Sequence, residues 1–164
     1  MITLGIDPGL SGAICFMDQD GLAGIFDLPT MIKPEAGPKT LIKREIDVCA
    51  LRDLLRQHIP ADESVLCAIE HVSSLGADVR GEQAKMSLAA TKASITTVLR
   101  LMRIDVHRVA PQTWKRFYGL SSDKGAALAI ARQFWPHYMA LKRAKDHNRA
   151  EAALIARWAQ RNLT

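Results

Sequence analysis

The chain has 164 residues, 48% of them apolar and 24% charged, which is ordinary for a globular protein and enough for one domain, residues 1–164, around a hydrophobic core. No apolar run approaches the ~20 residues that span a bilayer, no signal peptide precedes the first strand, and Cys15, Cys49 and Cys67 have neither zinc-site spacing nor the even count of a disulfide framework. These exclusions predict a reducing, cytoplasmic location with no membrane attachment, and the net charge of +5 favours anionic partners.

Residues 2–6 are a short apolar run stopped by Asp7, Pro8 and Gly9; a residue before proline is held extended. After the turn GLSG, AICFM predicts a second strand, DQDG a hairpin turn and LAGIFDL a third strand. Residues 29–45 are rich in Pro, Gly and Lys without a period and read as a loop. Residues 46–57 place apolar side chains at helical spacing, with Asp47 as a candidate cap. SVLCAI at 64–69 is almost wholly apolar, as expected of a strand at the buried centre of a sheet. Residues 71–82 read as a mobile loop, and 83–103 as a long helix rich in small residues, with four basic side chains and no acid. DVHRVA is a fifth strand. Pro111 opens a helix at its first position, Ser122 or Asp123 caps another that runs to about Phe134, and a last helix starts near Asp146. Three hairpin-linked strands followed by helical crossovers predict a mixed α/β sheet. If the first and fourth strands are parallel neighbours, Asp7 and Glu70 leave the sheet at one edge, where open α/β sheets build sites.

Charge divides the chain. Residues 1–82 hold 7 Lys and Arg against 13 Asp and Glu, whereas residues 83–164 hold 15 against 4. A basic half is a surface for a polyanion. Carboxylates kept within it, such as Asp146 and Glu151, call for a reason, and a bound metal supplies one. Glu70 follows five apolar strand residues, where an unpaired charge is expensive, although a salt bridge would also offset that cost. Asp7 equally suits a plain Asp-Pro-Gly turn, and Asp146 a plain helix cap. Asp146 and Glu151 lie about 140° apart around a helix, so both face one ion only if Asp146 sits at or before the helix start. His147 and Asn148 share the face of Glu151 more directly. Two Mg²⁺ ions about 3.5–4 Å apart, held by oxygen ligands, are a known means of hydrolysing a phosphodiester.

GIDPGLSGAI, AIEHV, VAPQTWKRFYGL with SSDKGAAL, and DHNRAEAALIARW together resemble the RuvC family of Holliday-junction resolvases, particularly its phage-type members. The resemblance runs in order over the whole chain. It implies a ribonuclease-H-like mixed five-stranded sheet flanked by helices, a homodimer, and Mg²⁺- or Mn²⁺-dependent incision of branched DNA at a four-way junction, with two ions per site. Asp7, Glu70 and Glu151 match three of the family's acids. The fourth usually lies three residues before the last. Asn148 stands there, so Asp146 is the favoured substitute and His147 its rival. The family often carries an aromatic where this chain has Ser73. Lys115 and Lys124 fall where similar proteins carry functional lysines, with Lys115 the candidate for acting on the scissile phosphate. Arg80, Lys85 and Lys92 are further candidate phosphate contacts. Trp114 and Phe117 suit either stacking on bases or the core. Other readings are a ribonuclease-H-like nuclease for another structured nucleic acid, such as an RNA–DNA hybrid, and a non-catalytic junction-binding protein. An actin-type or sugar-kinase ATPase would share the first glycine-rich motif but needs two such domains.

Overall fold

A computed structural model describes residues 1–34, 43–71, 79–120 and 124–163. Its main sheet has five strands: β1 (Ile2–Asp7), β2 (Ala13–Asp18), β3 (Gly21–Asp27), β6 (Val65–Glu70) and β7 (Val106–Val109), in the order β3-β2-β1-β6-β7. The hairpin-linked strands pair antiparallel, while β1–β6 and β6–β7 pair parallel. The mixed sheet expected from the sequence is therefore the one observed. In the β2–β3 turn, Asp18 Oδ1 accepts from the amides of Asp20 and Gly21, and Gly21 takes φ 122°, a conformation only glycine adopts without strain.

Among the described residues five helices flank the sheet: α1 (Val48–His58), α2 (Val79–Leu101), α3 (Pro111–Phe117), α4 (Lys124–Phe134) and α5 (His147–Asn162), with a 3-10 turn at Met139–Leu141. Asp47 caps α1, its Oδ1 accepting from the Ala50 amide at 2.9 Å. Pro111 occupies the start of α3. The candidate caps Ser122 and Asp123 lie outside the described residues.

Two stretches differ from the sequence reading. Within the expected loop at 29–45, β4 (Thr30–Ile32) and β5 (Arg44–Ile46) form a separate antiparallel pair. Arg44 fastens it by donating to Thr30 Oγ1 and to the Thr30 carbonyl. Three-residue strands are too short to display an alternation, which is why the pattern was silent. The expected loop at 71–82 is helical from Val79 onward, and its residues 72–78 lie outside the described part.

Period-two alternation divides the core between the two faces of the sheet. Leu4, Ile6, Ile14, Phe16, Cys67 and Ile69 pack with α1 and α2 through Leu51, Leu55, Ile95 and Leu99. Ala13, Cys15, Met17 and Ala68 face the other way, against α4, α5 and Trp114. β2 is thus covered on both faces, and burial pushes the Cys67 thiol on β6 up to about 12, leaving it an inert packing group.

Candidate active site

The sheet register and one glycine assemble three carboxylates. On β1, Leu4 and Ile6 face α1 and α2, so Asp7 projects from the opposite face. On β6, Ala68 lies on that same face, and Glu70 follows it by two. The parallel pairing sets Ile6 beside Ile69, which brings Asp7 and Glu70 to one edge. α5 crosses β1 directly: a Cβ on Gly5 would lie 2.2 Å from the Ala152 carbonyl oxygen and 2.3 Å from the Ala156 nitrogen. The helix can approach so closely because Gly5 meets alanines one turn apart. Glu151, next to Ala152, is thereby delivered to the end of β1. One oxygen from each of Asp7, Glu70 and Glu151 lies within 4.8 Å of the others. Behind Asp7 the chain turns tightly, with the Gly12 amide donating to the Gly9 carbonyl; a Cβ at Gly12 would lie 2.1 Å from the Asp7 carbonyl oxygen.

Electrostatics mark the cluster as short of cations. Burial, then Glu151 and Glu70, push the Asp7 carboxyl from 3.8 up to about 8, with Lys115 and Lys92 acting in the opposite sense. Glu70 is also raised, first by burial and then by Glu151, while the indole Nε1–H of Trp114 resists the shift by donating to Glu70 Oε1 at 3.0 Å. Trp114 is fully buried, so this bond also satisfies its only polar group. Lys115, the next residue, places Nζ 3.2 Å from Glu151 Oε1 and 5.1 Å above the Trp114 ring centroid. Three converging carboxylates form an all-oxygen donor set. That set fits a hard divalent cation such as Mg²⁺ or Mn²⁺, and its net charge would hold Asp7 ionised once the cation is bound.

No protein-family model and no curated protein sequence matches the chain. Solved structures do. The T. thermophilus RuvC structure in complex with Holliday junction substrate aligns at a TM-score of 0.56, covering 98% of this chain and 96% of that one at 13% identity. A T. thermophilus RuvC structure aligns at 0.55 over the same shares at 14% identity. This chain has the RuvC fold. It is a ribonuclease-H-like fold, as the sequence motifs implied, and the three carboxylates stand at its strand ends.

Other expected site residues stand elsewhere in this RuvC-like frame. Asp146 precedes α5 as expected of a cap, but no side-chain cap bond forms. It is 2% exposed, and its carboxylate is turned to Arg143, accepting from the Arg143 amide at 2.8 Å, Nε at 3.0 Å and Nη2 at 2.8 Å. Burial pushes its carboxyl up, yet the Arg143 bonds prevail and hold it below the usual range. The structure therefore does not bring Asp146 to the other three acids. Arg143 lies in irregular chain before the helix, where no sequence period announces a partner. His147 is half-buried and likewise stands outside the cluster. Asn148, one turn before Glu151, donates Nδ2–H to the Ser11 carbonyl at 2.6 Å, tying α5 to the β1–β2 turn.

Among the basic candidates, Lys92 is near the centre. Burial and Arg108 lower its pKa while Glu70 and Asp7 raise it. Lys85 is half-buried on α2. The Arg80 and Lys124 side chains and all of Ser73 lie outside the described part. Phe117 is exposed, whereas Trp114 belongs to the core. Sequence reasoning missed Trp114 as the partner of Glu70, signalled only by the need of a buried indole for an acceptor.

Proposed function

We propose that this protein is a divalent-metal-dependent endonuclease that cuts four-way DNA junctions, working as a homodimer so that two centres address two strands. The observation that carries the reading is the convergence of Asp7, Glu70 and Glu151, with Lys115 on Glu151, at the strand ends of a RuvC fold. The Thermus protein with this fold is described in complex with a Holliday junction substrate, which supports the same class of DNA for this chain.

Asp7, Glu70 and Glu151 would hold the cation, which when bound supplies positive charge to the phosphate and acidifies a water. Trp114 keeps Glu70 aimed at the centre through its indole hydrogen bond. The Lys115 ammonium donates to a phosphoryl oxygen as charge grows there. In the hydrolysis, the water oxygen bonds to phosphorus, the bond from phosphorus to one sugar oxygen breaks, and that sugar oxygen takes up a proton. Lys85, Lys92, Lys124 and Arg80 serve as phosphate contacts that position the arms and give affinity without sequence preference. For the dimer, α2 presents Ala84, Ser87, Ala89, Ala90 and Ala93 on exposed positions with Met86 at 68% exposure, a face low enough for close self-association.

The test uses labelled four-way junction, linear duplex and RNA–DNA hybrid, each with Mg²⁺, Mn²⁺ or chelator. Paired, metal-dependent incision of the junction alone is expected. Preferential cutting of the hybrid would replace the substrate, and binding without cutting in any metal would make the protein a junction binder. Sedimentation at micromolar concentration is expected to give twice the mass of one 18.1 kDa chain.

A further inference from the structure

We infer that each centre takes one divalent ion and that the Lys115 ammonium stands where a second cation would otherwise act. The inference rests on the nuclease reading above and deepens it, because it assigns the second positive charge of the reaction to a side chain.

Three observations carry it. First, the Glu151 side of the centre is already engaged by a cation: Lys115 Nζ lies 3.2 Å from Glu151 Oε1. Nζ is not loosely tethered. Its helix follows β7 directly, Trp114 beside it is wholly buried and bonded to Glu70, and the indole face lies under the ammonium at 5.1 Å, a favourable cation–π placement.

Second, no fourth acid joins the three to hold a further ion. Asp146 spends its carboxylate on Arg143 through three hydrogen bonds, and Arg149 Nη1 adds a cation 3.8 Å away. Asn148, on the face of Glu151 and one turn before it, is a neutral amide whose nitrogen is committed to the Ser11 carbonyl. Among the described residues, Asp7, Glu70 and Glu151 are the one group of three or more acids, histidines or cysteines close enough to share an ion.

Third, the charges balance without another ion. Three carboxylates and the scissile phosphodiester carry −4; one divalent ion and the Lys115 and Lys92 ammoniums, both acting on Asp7 and Glu70, supply +4. A second divalent ion on the Lys115 side of Glu151 would stand against an ammonium already within hydrogen-bonding reach of that carboxylate, and the two would repel. In the reaction Lys115 hydrogen-bonds the phosphoryl oxygen, while the proton taken up by the departing sugar oxygen comes from the attacking water.

The test counts ions directly. Mn²⁺ titration of the wild-type protein, followed by electron paramagnetic resonance, is expected to give one bound ion per chain with no spin-coupled pair. Lys115→Ala is expected to keep that stoichiometry while lowering the single-turnover junction cleavage rate by ~10²-fold, with Lys115→Arg recovering part of the loss. Asn148→Asp combined with Lys115→Ala supplies an acid and removes the ammonium, and is expected to bind two Mn²⁺ with a coupled spectrum. The wild-type cleavage rate should rise with Mn²⁺ as a single-site saturation. Two wild-type ions per chain, a coupled pair, or a rate rising with a Hill coefficient near 2 would overturn the inference, and so would absence of Mn²⁺ binding. One bound ion with no DNA cut would leave the ion count standing and sink the nuclease reading.

Discussion

Asp7→Asn should make the metal-free protein more stable. In the folded chain the Asp7 carboxyl is pushed from 3.8 up to about 8 by burial, Glu151 and Glu70. A raised acid binds its proton more tightly folded than unfolded. Stability from this group is therefore fullest below about 4 and is lost as pH climbs toward 8. At pH 7, the span from 3.8, at about 1.4 kcal/mol per pH unit, caps the penalty at about 4 kcal/mol. Glu70 and Glu151 share that burden and the cluster opens to solvent, so about half, or roughly 2 kcal/mol, is the expected gain for a neutral isostere. For a chain of this size that is a rise in Tm of about 4–8 °C. Thermal melts in chelator at pH 7 and pH 5 test it, since at pH 5 the gain should shrink below about 1 kcal/mol. Saturating Mn²⁺ should raise the wild-type Tm and leave Asp7→Asn nearly unmoved, closing the gap from the other side. A variant no more stable than wild type at pH 7, or a gain independent of pH, would refute the claim that Asp7 is held against its charge.

Four further outcomes are expected. Trp114→Phe removes the donor to Glu70, so Mn²⁺ affinity should fall most at low pH, where the unsupported carboxylate protonates; isothermal titration across pH reads this. Gly5→Ala drives a methyl into the Ala152 carbonyl, which should cost about 3 kcal/mol or more and weaken Mn²⁺ binding together with Tm as Glu151 shifts. Asp146→Asn should lower stability by about 1–3 kcal/mol through the lost Arg143 bonds, read as a fall in Tm, and, like His147→Ala, leave Mn²⁺ affinity near wild type, whereas Glu151→Gln abolishes it; the reverse ranking would bring Asp146 into the centre. Junction binding should weaken steeply with salt, and Lys92→Ala should flatten the log–log slope by about one unit if that lysine neutralises a phosphate.

What the sequence made legible follows from how far each signal reaches. Asp7 and Glu70 could be placed together because a strand's alternation and a crossover's direction are local properties, and β1–β6 pairing then does the rest. Asp47 and Pro111 were legible for the same reason. Asp146 was not, because its fate depends on Arg143, whose side chain reaches it from irregular chain. The bond between Trp114 and Glu70 spans 44 residues and joins a helix to a strand end, so no spacing rule could state it. The β4–β5 pair escaped because strands of three residues are too short to repeat the alternation that would reveal them.

The seam between β1 and α5 has a consequence for how this centre withstands change. At Gly5 the strand meets the helix main chain to main chain, so the separation of Asp7 from Glu151 is fixed by peptide dimensions and not by the fit of interlocking side chains. Substitutions elsewhere in the two cores alter how tightly the layers hold without resetting the ruler between the two acids. Mutational scanning of metal binding should therefore find a sparse set of intolerant positions, Gly5, Ala152 and Ala156 beside the acids themselves, in an otherwise permissive scaffold. A chain built this way can exchange most of its letters and still bring the same two oxygens to the same place.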